Sequence, residues 1–165
     1  MTALDRTDVG LLHALQEDGR STLKELAARV GLSTSATHER VRRLLADGVV
    51  RGIHATIDPA RVGIGLQAVV QVRLQRHSRG VVTAFRDHAL GLTEVVAVTH
   101  VTGAVDFLVH VAVRDTDHLR DLAMEAFTTR EEVARIDTAI VYEHVEAATW
   151  PIYTDRPSDT TDALT

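Results

Sequence analysis

Hydrophobic positions recur with helical spacing over the first fifty residues and alternate through much of the remaining chain. Ser21 to Gly52 reads STLKELAARVGLSTSATHERVRRLLADGVVRG, two short amphipathic runs separated by Gly31-Leu32-Ser33. Leu23, Leu26, Ala27 and Val30 fall at i, i+3, i+4 and i+7, the stripe of a helix that faces a core. Gly31 ends that run, because glycine takes the left-handed conformation at a helix C-terminus without a Cβ penalty. Ser33 is placed to cap the next helix. On that second run, Ser33 to Ala46, the expected inner side is Val41, Leu44 and Leu45. The expected outer side is Ser35, Ala36, Glu39, Arg42 and Arg43. An earlier run, Leu4 to Glu17, supplies Leu11, Leu12 and Leu15 as a third wall. Gly48 stops the second helix, and Val49-Val50-Arg51-Gly52-Ile53 reads as a short strand or wing. The pattern predicts a three-helix, winged-type helix-turn-helix over residues 1–52.

Ile53 to Pro59 alternates and ends in Asp-Pro, and two glycines follow by Gly65; residues 53–65 read as a strand and hinge linker. In Leu66 to Gln75, Ala68, Val70, Val72 and Leu74 point one way and Gln67, Gln71, Arg73 and Gln75 the other. Val81, Val82, Phe85 and Ala89 return to helical spacing. Glu94 to Thr102 and Val105 to Val113 are β-branched runs joined at Gly103-Ala104, a hairpin signal. Leu119, Leu122, Ala123 and Ala126 are helical again, and Ala134 to Val145 is a last strand. The order is βαββαβ, a ferredoxin-like sandwich over residues 66–149, so the whole chain is α+β. Such a sheet carries helices on one face only. Val69, Val95 or Val96, Leu108 or Val109, and Val141 make the other face too apolar for free exposure, which implies a dimer built sheet to sheet. The parity of the hairpin strands stays open, since one residue of turn length swaps their faces. Residues 150–165 are poor in apolar side chains and read as a flexible tail.

Composition narrows the classes. The 165 residues include no cysteine and no apolar run of membrane-spanning length, and no basic-then-apolar leader opens the chain, so a cytoplasmic protein with no membrane partner is expected. Net charge is −5, yet Arg20 to Arg51 holds seven basic residues against three acidic ones. A positive field concentrated on one helical segment fits a phosphate backbone, that is, double-stranded DNA. Ser33, Thr34, Ser35, His38 and Glu39 lie on the first turns of the second helix, where side chains reach base edges. Arg42, Arg43 and Arg51 suit phosphates. Nine histidines raise a metal site, with His100 and His110 able to face each other across the hairpin, but no ligand spacing completes one.

The run LDRTDVGLLHALQEDGRSTLKELAARVGLSTSATHERVRRLLADGVVRG resembles the amino-terminal domain of the Lrp/AsnC (feast/famine) transcription regulators. Leu4-Asp5 with Asp8, Asp18-Gly19-Arg20, Glu25-Leu26-Ala27, Val30-Gly31-Leu32-Ser33, Glu39 to Leu44 and Gly48 carry the match. Val101 to Leu108 is similar to a piece of the family's effector and oligomerisation (RAM) domain, with Gly103 and Asp106 on the pattern. Ala104 departs from the acid often found there, and Thr138 matches the second threonine of a Thr-x-Thr strand signature while Ile136 replaces the first. The resemblance implies a self-associating regulator, dimeric and octameric, that needs no cofactor and responds to an amino acid. His100, Val101, Thr102, Gly103, Ala104, Asp106 and Thr138 are its candidate effector residues. Amides at Gly103 and Ala104 suit a carboxylate, Asp106 an ammonium, and Thr102 and Thr138 offer hydroxyls. Two alternatives stay open: a haem-biosynthetic decarboxylase of similar build, with His100 as acid, and a chromatin-packing dimer without effector.

Overall fold

Asp5 opens the first helix through a reciprocal cap: its carboxylate accepts the Asp8 amide, and the Asp8 carboxylate accepts the Asp5 amide. In the computed structural model, which describes residues 3–153, this starts α1 (Arg6–Glu17). Thr22 and Glu25 form the same reciprocal box at the head of α2 (Leu23–Val30). Gly31 ends α2 with φ 69°, and Ser33 caps α3 (Thr34–Ala46) through the Ala36 amide. Leu11, Leu12, Ala14, Leu26 and Leu44 are buried together, with Leu15, Leu23, Val30 and Val41 packed around them.

Two expectations fail just beyond this core. Leu45 is 46% exposed, because it lies about 100° around the helix from Leu44 and passes the edge of the α1 and α2 contact. No wing strand forms at residues 49–53. Gly48 turns at φ 70° and the Val49 and Val50 amides both donate to the Leu44 carbonyl, so these residues close the helix end instead of extending. Residues 53–57 likewise form no strand and pair with none among the described residues. The hinge contains a 3₁₀ turn, Pro59–Val62, capped by Asp58 and ended by Gly63 at φ 84°.

The described residues divide into two units, one holding residues 3–56 together with 145–153, the other Ile57–His144. The second unit runs β1 (Leu66–Leu74), α4 (Arg79–Leu90), β2 (Val95–His100), β3 (Phe107–Val113), α5 (Thr116–Leu122) with a π-helical continuation at Ala123–Thr128, and β4 (Val133–Ile140). The sheet order is β2-β3-β1-β4, antiparallel throughout, which is the ferredoxin-like plan. As the alternation requires, Ala68, Val70, Val72 and Leu74 are buried, facing Phe85, Ala89, Leu119, Leu122 and Phe127. The parity resolves as Val95 and Val109 inward, Leu108 outward. A bulge between Val95 and Ala97 leaves Val96 61% exposed.

The last strand is shorter than expected. Val141 donates to Gln67, one residue from the start of β1, and beyond that point no partner strand is left. The tail reading fails for residues 150–153: Ile152 packs against the helical core, and the Gln16 side chain bonds the Trp150 backbone. Residues 154–165 lie outside the described part. No helix among the described residues is long and apolar enough to cross a membrane.

Candidate nucleic-acid interface and effector hairpin

The outer surface of α3 is set by its helical wheel. Thr37 and Leu44 are buried at its centre line, with Thr37 Oγ1 donating to the Ser33 carbonyl at 3.0 Å. Thr34, Ser35, His38, Glu39 and Arg42 are exposed. The Ser33 and Ser35 hydroxyls sit 3.2 Å apart, which pre-orients a small polar head on the first turn. Arg42 pairs with Glu39 one turn back at 2.7 Å, both side chains 66% exposed. That hydrogen bond holds the Glu39 carboxyl below its ordinary range and the Arg42 guanidinium above its own. A pair this exposed contributes little to stability.

Arg43 is placed differently from Arg42. Its Nη2 donates to both oxygens of Asp8, at 2.8 and 2.7 Å, and Asp8 is 1% exposed. Arg40 joins it, donating to Asp8 at 2.9 Å and Asp5 at 2.6 Å. The hydrogen bond it donates to Asp5, then that to Asp8, raises the Arg40 pKa. The expected phosphate arginine at position 43 is therefore engaged in fastening α3 to α1. Helical geometry carried the signal: Arg40 and Arg43 are one turn apart and lie to the same side of Leu44, whereas Arg42 shares the far side with Ser35 and Glu39. Arg6, Arg20, Lys24 and Arg51 are exposed and make no side-chain ion pair among the described residues. Arg51 was foreseen as a cation for phosphate; Arg6 lies outside the charged segment that sequence reasoning weighed.

In the hairpin, residues 101–106 join β2 to β3, and Gly103 turns at φ 117°, where any side chain is strained. The Val101 amide donates to the Asp106 carbonyl and the Asp106 amide to Val72. Asp106, 9% exposed, accepts the Leu74 amide at 2.7 Å on one carboxylate oxygen and meets His77 Nε2 at 2.7 Å with the other. Arg73 donates to the Ala104 carbonyl at 2.7 Å. Sequence reasoning missed both Arg73 and His77, although the basic run Arg73 to Arg79 straddles the end of β1.

Thr102, Gly103 and Ala104 are exposed and Val101 is half-buried. His100 stacks on Phe107 with ring centroids 4.7 Å apart. His110 pairs with Ala97, not with His100, so the two histidines do not face each other across the hairpin. Thr138 is not brought to the loop: it stands opposite Val70 on β4, two strand spacings or about 10 Å from β3. No group of three or more His, Cys, Asp or Glu side chains among the described residues is arranged to hold a metal ion.

Comparison with known proteins gives two domain matches, an AsnC-type helix-turn-helix domain over residues 4–45 and the Lrp/AsnC ligand binding domain over residues 67–151. The HTH-type transcriptional regulator AldR of Mycolicibacterium smegmatis is 41% identical over 145 residues, covering 88% of this chain and 85% of that protein. The leucine-responsive regulatory protein of Rhizobium meliloti is 33% identical, covering 88% and 93%. Among solved structures, a Neisseria meningitidis transcriptional regulator in complex with L-Met superimposes with a TM-score of 0.79 at 29% identity, covering 87% and 93%. The Mycobacterium tuberculosis leucine response regulatory protein LrpA does so with 0.76 at 35%, covering 91% and 100%.

Proposed function

This chain belongs to the Lrp/AsnC family of DNA-binding transcriptional regulators, and we propose that it reads a pseudo-palindromic operator as a dimer, under control of an amino acid. It is a regulator and not an enzyme, so the decarboxylase alternative falls with the family assignment. The observation that carries the DNA-reading proposal is the split on α3: a polar face of Ser35, His38, Glu39 and Arg42 points outward, while Arg40 and Arg43 hold the opposite side on a buried acid. Ser35 and Glu39 contact base edges, and Ser33, Thr34 and His38 border them. Arg42 and Arg51 neutralise phosphates, and Arg43 keeps the helix in place.

The partner in the dimer is a second copy packed on the outer sheet face, where Val69, Leu108 and Ala112 are half-buried in one chain. Two copies put two recognition helices on one duplex, spaced by its helical repeat; the resemblance extends this to an octamer. Working on the chromosome places the protein in the cytoplasm.

The amino acid binds at the hairpin, its carboxylate on the exposed amides of Gly103 and Ala104 with the Thr102 hydroxyl beside them. Since Asp106 is already engaged on both oxygens, the ammonium is met by backbone carbonyls, or by Asp106 after His77 yields. His100 and Val101 flank the loop, and Thr138 contributes only from a second chain. The ligand acts by favouring one assembly, since it shifts an equilibrium only through differential affinity.

Salt-dependent binding tests the division of labour on DNA. Arg42→Ala and Arg51→Ala should each flatten the plot of log affinity against log salt by about 0.9, equally for selected and random duplexes, whereas Ser35→Ala should reorder the selected ones. Unchanged slopes, or identical losses for all three, would overturn it. Thermal shift and sedimentation against each amino acid identify the effector; no response to any of them, with DNA binding intact, leaves the chromatin-packing alternative.

A further inference from the structure

The C-terminal segment returns to the DNA-binding unit. Residues 145–153 cluster with residues 3–56, and the contact is specific. Gln16, on the last turn of α1, holds both polar groups of residue 150: its Nε2 donates to the Trp150 carbonyl at 3.3 Å and its Oε1 accepts the Trp150 amide. A side-chain amide thus does for residue 150 what a neighbouring strand does elsewhere. Two residues on, Ile152 packs against the cluster of Leu11, Leu12, Leu26 and Leu44. The Trp150 and Tyr153 side chains stay outside, 81% and 85% exposed. Between this segment, α1 and residues 49–54 runs an open groove of about 850 Å³.

The same helix is held near its other end. Asp8 takes Arg40 and Arg43 of α3, and eight residues separate it from Gln16, about 12 Å along the helix axis. The two attachments therefore act on one rigid rod. The buried side chains of Leu11, Leu12 and Ala14 and the ion pairs of Asp8 hold α1 on α3; a further grip at Gln16, two turns from Asp8, holds the C-terminal end of the same rod against tilt.

We propose that residues 145–153 form a strap that positions the recognition helix for base contact, acting through α1, with Gln16, Trp150 and Ile152 as positioning residues. The strap is also the covalent continuation of β4, only a few residues after Val141. The chain consequently passes between its two units twice, once through the hinge at residues 57–65 and once through the strap. This goes beyond the proposed operator and effector, and depends on neither the identity of the amino acid nor the place where it binds.

Trp150 is the only tryptophan in the chain, so its fluorescence anisotropy reports the strap alone. In the full-length protein, Gln16→Ala combined with Ile152→Asp should lower that anisotropy. It should also weaken binding to a duplex selected from a random pool about three- to tenfold, the worth of one or two hydrogen bonds and a partly buried contact. Binding to unselected duplex should change less than about twofold, because phosphate contacts tolerate a tilt that base contacts do not. Ile152→Val, which keeps an apolar side chain, should behave as the parent does. A chain ending at Glu146 should match the double variant in DNA binding. Should the double variant lose helical circular dichroism, Gln16→Ala alone and the shortened chain decide. A released strap with an unchanged ratio of selected to random binding overturns the proposal, and so does an anisotropy that none of the substitutions moves.

Discussion

Each unit buries a carboxylate, and the two are compensated by different chemistry. Asp8, in the helical unit, is 1% exposed and meets two guanidinium groups as well as the Asp5 amide. Asp106, in the sheet unit, is 9% exposed and meets one backbone amide and one histidine, a partner charged only when protonated. Arginine stays ionised at every pH a folded protein meets, and its planar fork fixes direction as well as charge. The first arrangement therefore locks a geometry, α3 on α1. The second holds a turn through a half-exposed partner that can be displaced, which suits the loop proposed to bind the effector.

Removing Asp8 should have the largest effect. Asp8→Ala deletes the charge shared by Arg40 and Arg43 and half of the α1 capping box. Loss of one partner of a buried pair costs about 3–5 kcal/mol, but both arginines here keep part of their solvent, so about 2–3 kcal/mol is expected. The loss should fall on the helical unit: hydrogen exchange in α1 to α3 accelerates while β1 and β3 stay protected. DNA binding should fall for selected and random duplexes alike, since the recognition helix itself loosens. Equal acceleration in both units would show that Asp8 is not a local lock.

Asp106→Ala comes next, at about 1–3 kcal/mol, because the Leu74 amide loses its acceptor inside the sheet. His77 is 57% exposed on its side chain, so its pairing adds little of this. Asp106→Asn keeps an acceptor for Leu74 and should recover most of the stability while weakening the hold of His77 on the turn. Thermal unfolding of the two variants checks the difference. Equal destabilisation by both would assign the cost to the charge pair and not to the backbone amide.

These two acids also mark where the sequence was legible. Periodicity located the helices and four strands because each buries one side, as Val70, Val72, Val109 and Val111 do on the sheet. The cap at Ser33 and the turn at Gly31 are local chemistry, written within four residues. The sheet-edge events were less legible, because they depend on the partner's length: β4 stops where β1 begins, and residues 49–50 spend their amides on the Leu44 carbonyl. Long-range polar pairing was least legible. Nothing in the spacing of Arg43 names Asp8, which lies 35 residues away, and nothing in Trp150 names Gln16, 134 residues away. Sorting α3 by angle about Leu44 would have separated Arg43 from Arg42; no comparable signal marks the strap.

The smallest expected effect separates the units by acid. Asp5, Glu25 and Glu39 in the helical unit have their carboxyl pKa values lowered: Asp5 first by the Asp8 amide and then by Arg40, Glu25 by the Thr22 amide and hydroxyl, Glu39 by Arg42. In the sheet unit the resolved carboxyl shift is that of Glu132, where burial raises the pKa but its own backbone amide and Arg130 outweigh it. A carboxyl whose folded value is depressed contributes stability that is complete above its unfolded value, 4.5 for glutamate and 3.8 for aspartate here, and that fades as pH falls through the lower, folded value. On acidification below about pH 4.5, α2 amides should therefore lose protection before those of β1. Glu25→Gln sharpens the test, because glutamine keeps the reciprocal cap with Thr22 and cannot titrate. Its neutral-pH stability should stay close to the parent's while the acid limb of the helical unit becomes shallower; an unaltered limb would place the acid sensitivity outside the α2 cap.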